Sequence, residues 1–453
     1  MRFVLALVLG LPAFASAQFN WADAGMPGRS LGVRQLYVDP LENTLYVLGI
    51  ITEGGTDIGN QIVMRYNGST WDSTLVFQGH PYTAIRYGDT LIIGGNNLVI
   101  GGLQPSCTVA YYDGEWHSYG EFSNGLCRKL RVIDGELYAI GGFDFADGNY
   151  CNGIARRVNG QWVNVGFLES EFSDGANLTD IAKYEGDLYV CGGLNMMPNG
   201  ENAVARFDGS SWTSPGGGVL GGVAAGRCLT VYDGELYMGG SIYQSAGNAG
   251  HMIMRWNGSE WNGVGGSFQD QWGTTEGAAR CYALFEHEGK LLAGGGFFYA
   301  GGIPANKFAI WDGERWCGTE DTMSGEGESF AVYNDTLYMA SGTVVNGDST
   351  NRVIKWIGGP VEGGECSEPV GVVEEIPSSG ELIHVRDSRW IIEGLEQRQQ
   401  YRLHIFDIKG SLILERRVSN SFEMDLASYG PGIYVVRIMS ASSVFTGRIM
   451  KQE

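Results

Sequence analysis

Six histidines punctuate the chain, at His80, His117, His251, His287, His384 and His404. They form no HExxH and no close metal-binding pair. The eight cysteines contain no CxxC, so neither a zinc ribbon nor a dithiol redox centre is written here. No GxSxG supplies a nucleophile elbow, and no GxxxxGK[ST] loop cradles a phosphate. Gly216-Gly217-Gly218 lies between predicted strands with no helix behind it, which removes the usual anion site at a helix N-terminus. Among 51 acidic residues some carboxylates meet by chance, so sequence alone selects no glycosidase pair. Asp144, Asp147 and Asn149 in FDFADGNYC are oxygen ligands that Ca²⁺ could use, but they fall short of an EF-hand loop. A solvated loop is the favoured reading, and no cofactor, metal or catalytic residue is expected.

Flat apolar side chains are what the sequence does offer. Phe145, Tyr150, Tyr243, Trp272, Phe298 and Tyr299 fall in long loops between predicted strands. Aromatic faces of this kind suit sugar rings or a protein partner, and function concentrates on loops held by a rigid scaffold.

The scaffold is written as a repeat. VIDGELYAIGGF from Val132, KYEGDLYVCGGL from Lys183 and VYDGELYMGGSI from Val231 share one phrase, with weaker copies from Arg86, Glu286 and Val332. Its leucine recurs at positions 45, 91, 137, 188, 236, 291 and 337, about 49 residues apart on average. A second phrase follows each first one and ends on Trp71, Trp116, Trp162, Trp212, Trp261 and Trp316; the seventh copy stops at VIKWIGG. Asn-Gly, Asp-Gly and Glu-Gly pairs between β-branched or aromatic runs predict type I′ hairpins. Each copy therefore supplies four short strands. One such sheet cannot bury both faces alone, whereas seven packed around an axis can. The paired glycines let neighbouring sheets approach, and the recurring tryptophans fill the space between them. The seventh copy lacks its last strand, and Asn20-Trp21-Ala22-Asp23-Ala24-Gly25 matches the missing Trp-x-x-x-Gly ending. Trp21 is thus expected to complete the sheet near Phe330–Trp356. The fold expected is all-β, a seven-bladed β-propeller of four-stranded sheets, and in these phrases it resembles kelch-like propellers.

Two enzymatic propeller types are weighed against this pattern. Sialidases carry Ser-x-Asp-x-Gly-x-x-Trp, whereas Asp208-Gly209-Ser210-Ser211-Trp212 has the wrong spacing and reads as a hairpin turn. Galactose-oxidase-like propellers need a copper set of Tyr and His with a Cys–Tyr crosslink. Here Cys281 and Tyr282 are adjacent, and no suitably placed histidine pair accompanies them.

The composition sets the destination. With 30 basic and 51 acidic residues the net charge is −21, which excludes nucleic acid as a partner. A basic start, an apolar run from Phe3 to Phe14 and Ala15-Ser16-Ala17 read as a secretory signal over residues 1–17. No later apolar run is long enough to span a membrane. Export would put the cysteines in an oxidising compartment, as local clips or as buried thiols.

After the repeat region (18–366) and a linker (367–380), residues 381–453 alternate as a small Ig-like antiparallel β-sandwich. They carry Ile405-Phe406-Asp407-Ile408-Lys409-Gly410, Met424-Asp425-Leu426, Gly430-Pro431-Gly432-Ile433-Tyr434-Val435 and the basic end Gly447-Arg448-Ile449-Met450-Lys451. In this order the motifs resemble the C-terminal sorting domain of the type IX secretion system of Bacteroidota. The resemblance implies that Phe406, Asp407, Gly410, Gly430, Gly432, Tyr434 and Lys451 belong to the sorting signal. It also implies the type IX machinery as a partner and delivery through the periplasm to the surface or beyond. The function expected is that of a monomeric, exported, non-enzymatic binding or structural protein with a glycan or protein ligand. The alternatives are a secreted carbohydrate-active hydrolase or lyase on the same scaffold, and an adhesin or filament subunit acting through avidity.

Overall fold

The computed structural model describes residues 20–361, apart from 53–59, 101–106, 114, 121, 124, 167, 169–175, 197–199, 220–224, 243–248, 272–278, 320 and 359–360. Beyond these it describes 383–386, 389–392, 401–407, 412–419, 422–425, 432–439 and 444–451. The expected signal segment and the linker lie outside the described residues. The fold is all-β, with many four-stranded antiparallel sheets and almost no helix. The chain divides into two compact units: Met1–Asp180 with Pro304–Phe308 and Thr319–Glu362, and Ile181–Ile303 with Ala309–Gly318 and Gly363–Glu453.

In the first unit the hairpin chemistry is explicit. Asp134 and Gly135 take φ of 53° and 79°, which places both central turn residues in the left-handed region a type I′ turn needs. Val132 then pairs with Leu137, and Leu137 is fully buried. The seventh copy makes the same turn without glycine, through Asn334 and Asp335 at φ of 47° and 58°. The third copy is a four-stranded sheet of Leu126–Ile133, Glu136–Gly142, Ile154–Val158 and Gln161–Asn164. The seventh copy orders Ser329–Tyr333, Thr336–Ala340 and Val353–Trp356, and its fourth strand is Trp21–Asp23. Trp21 pairs with Trp356 and Asp23 with Ile354, so the N-terminal segment completes the last copy as its sequence implies.

Copies one and two depart from the four-strand expectation. Trp71–Tyr87 is one 17-residue strand serving as the last strand of copy one and the first of copy two, so seven strands run in a single sheet. The register slips between Gln78 and His80 and again between Pro81 and Thr83. The Gly79-His80-Pro81 stretch therefore bends the strand through bulges instead of ending it.

Apolar cores lie between successive copies. Val33, Leu45 and Val47 of copy one pack with Tyr333, Tyr338 and Val353 of copy seven. Tyr46, Leu48 and Val63 of copy one pack with Ala84, Leu91 and Ile93 of copy two. Ile92 and Val109 of copy two pack with Cys127, Leu137 and Trp162 of copy three. One backbone-to-side-chain bond recurs across these junctions. Ser329 Oγ accepts from Leu36 N at 3.0 Å, Gln35 Oε1 from Ala84 N at 2.8 Å, and Thr83 Oγ1 from Leu130 N at 3.2 Å. Gly94 shows why the second strand carries glycines: a Cβ there would stand 2.7 Å from Cys127 Sγ of the next copy.

The second unit repeats the design with Ala225–Tyr232, Glu235–Ser241, Ile253–Trp256 and Trp261–Asn262 as copy five. Tyr189, Cys191 and Val204 of copy four share a core with Leu229, Leu236 and Trp256 of copy five. A Cβ on Gly239 would stand 2.5 Å from Cys281 Sγ and 2.7 Å from Cys228 Sγ. Cys127, Cys151, Cys191, Cys228 and Cys281 are buried thiols and Cys317 is disulfide-bonded, so the four-bridge framework that eight cysteines allow does not form.

The C-terminal region forms two antiparallel sheets with seven strands in all. One orders Ile383–Arg386, Arg389–Ile392 and Phe422–Asp425; the other orders Leu412–Val418, Tyr401–Asp407, Gly432–Met439 and Val444–Lys451. Tyr401, Leu403 and Ile405 alternate along one strand and are buried, as are Val436 and Ile438 opposite them.

Candidate functional site

Between the second and third strands of copy three, the chain adds a hairpin of its own. Asp147 and Gly148, at φ of 48° and 77°, turn Phe145–Ala146 back onto Asn149–Tyr150. The other edge of Phe145–Ala146 pairs with Phe122–Ser123. Phe145 is 37% exposed, and its ring meets Tyr150 edge-on with centroids 5.4 Å apart. Beneath them Phe122 lies edge-on to Phe143 at 4.9 Å and to the fully buried Trp162 at 5.3 Å.

Polar bonds fix this hairpin to its sheet. Asp147 Oδ2 accepts from Trp162 N at 2.8 Å and from Arg157 Nη1 at 3.5 Å. Asn149 Nδ2 donates to Trp162 O at 2.9 Å, and Asn164 Nδ2 donates to Tyr150 O at 2.6 Å. The oxygen-rich FDFADGNYC segment is therefore a brace: the Asp147 carboxylate is paired with a guanidinium, and the Asn149 side chain donates its amide hydrogen to the adjoining strand.

Copy six builds a counterpart. Gly301 and Gly302, at φ of 57° and 82°, form the turn after Tyr299–Ala300, which pairs with Phe268–Gln269. Phe268 stacks on Phe297 at 4.3 Å and lies edge-on to Trp316 at 4.9 Å. Phe298 and Tyr299 are half-buried, and Phe298 N donates to Gln269 O at 2.8 Å. Phe145 and Tyr299 thus hold the same place in copies three and six, each beside a Phe-Phe-Trp layer. Copy seven places Val344, 37% exposed, at this position on the Val344–Val345 and Asp348–Ser349 hairpin. Tyr243 and Trp272 lie outside the described residues.

Sequence reasoning placed these aromatics in open loops and missed that they stand on sheet-forming hairpins. The signal was present in Asp147-Gly148, flanked by Phe145-Ala146 and Asn149-Tyr150. A cleft of about 240 Å³ elsewhere in the second unit borders Gly216, Met254, Glu260 and Trp261, and none of the four described candidate aromatics lines it.

The Asp-Gly-Ser-Ser-Trp phrase is a turn in the structure. Asp208 Oδ1 accepts from Ser210 N and Ser211 N at 2.8 Å each and from Ser210 Oγ at 2.7 Å. The Ser210 hydroxyl and the two backbone amides hold the exposed Asp208 carboxyl down to about 2. Asn67, Asn257 and Asp312 accept the same pair of backbone amides in their copies.

In the C-terminal sheets, Phe406 pairs with Val435, Asp407 with Tyr434 and Gly432 with Lys451. The register therefore gathers Asp407, Gly432, Tyr434 and Lys451 at one end of a single sheet. Gly410 and Gly430 lie outside the described residues.

Residues 388–452 match the family described as "Secretion system C-terminal sorting domain". The chain is accordingly exported by type IX secretion to the cell surface or beyond, and its tail engages that machinery. Among the described residues no helix is long and apolar enough to cross a membrane. No curated protein matches the sequence. Among solved structures, the chain is similar to the extracellular domain of the hybrid two component system BT4673 from B. thetaiotaomicron. That likeness has 11% identity and a TM-score of 0.46, over 92% of this chain and 57% of the other. The chain thus spans little more than half the length of that structure. It is also similar to a fungal alcohol oxidase of the AA5 family in complex with copper, at 13% identity and a TM-score of 0.40, over 95% and 98% of the two chains.

Proposed function

We propose that this chain is an exported, non-enzymatic binding protein on a closed seven-bladed β-propeller, with a glycan or protein ligand held by aromatic hairpins. In this reading residues 1–17 are a signal peptide, 18–366 the propeller, 367–380 a linker and 381–453 the Ig-like sorting sandwich. Support for the ring comes from the junction of copies seven and one, whose core and Ser329–Leu36 bond match those of the next two junctions. Closure of this kind removes exposed sheet edges.

The observation that carries the binding function is the shared position of Phe145 and Tyr299 beside their Phe-Phe-Trp layers. A ring braced by its neighbours meets a ligand with little further ordering cost. The test is a glycan array and a protein-binding screen with the mature chain. Each aromatic contact is worth ~1 kcal/mol, so Phe145→Ala with Tyr299→Ala should weaken binding about tenfold or more. Unaltered binding would remove the hairpins from the ligand site, and turnover of any glycan would replace binding with catalysis. Deleting residues 382–453 should leave the protein in the periplasm.

A further inference from the structure

The first strands of five copies slip register at the same place. The residue passed over is Arg34, Tyr82 or Arg128 in the first unit and Arg227 or Tyr282 in the second. A bulge takes its extra residue out of the ladder and re-aims the side chain. In a chain with 30 basic and 51 acidic residues, three of these five positions are arginine and two are tyrosine. In the first unit the arginines have partners: Arg34 Nη1 pairs with Glu328 Oε2 at 3.1 Å, and Arg128 Nε donates to Asn177 Oδ1 at 2.8 Å. In the second unit the Arg227 guanidinium carbon lies 5.8 Å from the centre of the Tyr282 ring, and Arg280 Nη1 donates to Tyr282 Oη at 2.9 Å. Among the described residues Arg227 makes no ion pair, and its Nε is buried without a hydrogen-bond partner.

We infer that Arg227, Tyr282 and Arg280 form a receptor for one carboxylate carried on a sugar ring, a uronic acid residue. Two guanidinium groups on one phenol offer the forked donors that a carboxylate accepts in pairs. The phenol between them adds an apolar ring edge beside the charge. A net charge of −21 disfavours a polyacidic ligand such as an acidic peptide, whereas a single carboxylate is offset locally. This site uses none of the hairpin residues and stands apart from their role.

Galacturonic acid, galactose and a tetraglutamate peptide titrated calorimetrically into the full chain test the inference. Galacturonic acid should bind, and galactose should bind at least about tenfold more weakly. Arg227→Gln should weaken galacturonic acid binding about tenfold while the circular dichroism spectrum stays unchanged. Tyr282→Phe, which keeps the ring and loses the hydroxyl, should weaken it too and serves if Arg227→Gln does not fold. The inference is overturned by no binding of galacturonic acid or by equal affinity for galactose. Tighter binding of the peptide, or unchanged affinity in a folded Arg227→Gln or Tyr282→Phe protein, overturns it as well.

Discussion

Trp71 Nε1 donates to Ala24 O at 3.2 Å, and Ala24 stands three residues after Trp21. The same relationship links Trp162 to Tyr119 O at 2.6 Å, Trp261 to Pro215 O at 3.0 Å and Trp316 to Val264 O at 2.8 Å. In every case the acceptor is the third residue after the preceding copy's tryptophan. Trp21 thus holds the place of copy seven's tryptophan, although it precedes copy one in sequence. Trp71, Trp162, Trp261 and Trp316 are clips between successive copies, each donating to a carbonyl of its neighbour, whereas Trp21 fills its place by packing and its Nε1 makes no such bond.

Replacing the indole by a benzene ring removes the donor and part of the volume. Trp162, fully buried, should suffer most. A lost hydrogen bond with its acceptor left buried costs about 1–3 kcal/mol, and the vacated volume adds to that. Trp162→Phe should lower the midpoint of urea unfolding clearly more than Trp71→Phe, whose indole is half-buried. Equal midpoints for the two variants would deny the clip its energetic role.

The strand that completes copy seven is held from one carboxylate. Asp321 Oδ1 accepts from Asn20 N and Trp21 N at 3.0 Å each, and Asn346 Nδ2 bridges Asp321 Oδ1 at 2.7 Å and Trp21 O at 3.0 Å. Asp321 is fully buried. Asp321→Ala strips these amides of their acceptor, and hydrogen bonds to a charged group are worth about 1.5–3 kcal/mol. The expected result is a lower melting temperature together with faster hydrogen exchange at Trp21. Deleting residues 19–28 should cost more, because Trp21 leaves with its bonds. An unchanged melting temperature after that deletion would defeat the closure.

The repeat, its hairpin turns and the completing strand were legible because each is local or periodic. Asp134-Gly135 dictates its turn alone, and Trp21 matched a phrase seen in other copies. The fusion of copies one and two was not legible, since the repeat assigns each copy its own four strands and only the ladder shows Gly79 and Pro81 carried through a single strand as bulges. The bulge row was hidden for a related reason: Arg227 and Tyr282 share no side-chain type, and only the ladder reveals that they share a position. At the hairpins the aromatic residues were found and their support was not. Phe122 and Phe268 come from the segments between copies, and their partnership with Trp162 and Trp316 is tertiary.

Copies one and two are further joined by a buried ion pair. Arg86 Nη2 contacts Asp39 Oδ2, and Arg86 Nε reaches the same oxygen at 3.0 Å. Asp39 is fully buried, and the Arg86 side chain is 10% exposed. Removing the cation strands the carboxylate away from water, which typically costs about 3–5 kcal/mol. Arg86→Leu should therefore destabilise far more than Arg34→Leu, whose side chain is 49% exposed beside Glu328. Replacing Asp39 and Arg86 together by apolar residues should recover much of the loss. A double variant no better than Arg86→Leu would contradict this account.

His251 gives the fold a sensitivity to acid. It is 1% exposed, and burial pushes its imidazole from 6.5 down to about 4 against a weaker upward pull from its hydrogen bond with the Phe268 backbone. The folded protein therefore binds fewer protons at this site than the unfolded chain does. Its contribution to stability is full above the unfolded value of 6.5 and is lost as pH falls from there through about 4. Across that window the loss amounts to roughly 3 kcal/mol. Melting temperatures at pH 7.5 and 4.5 should drop steeply for the natural chain. They should drop less for His251→Asn, which cannot titrate, even if that variant starts from a lower value at pH 7.5. Identical acid sensitivity in the two proteins would assign the effect to other groups.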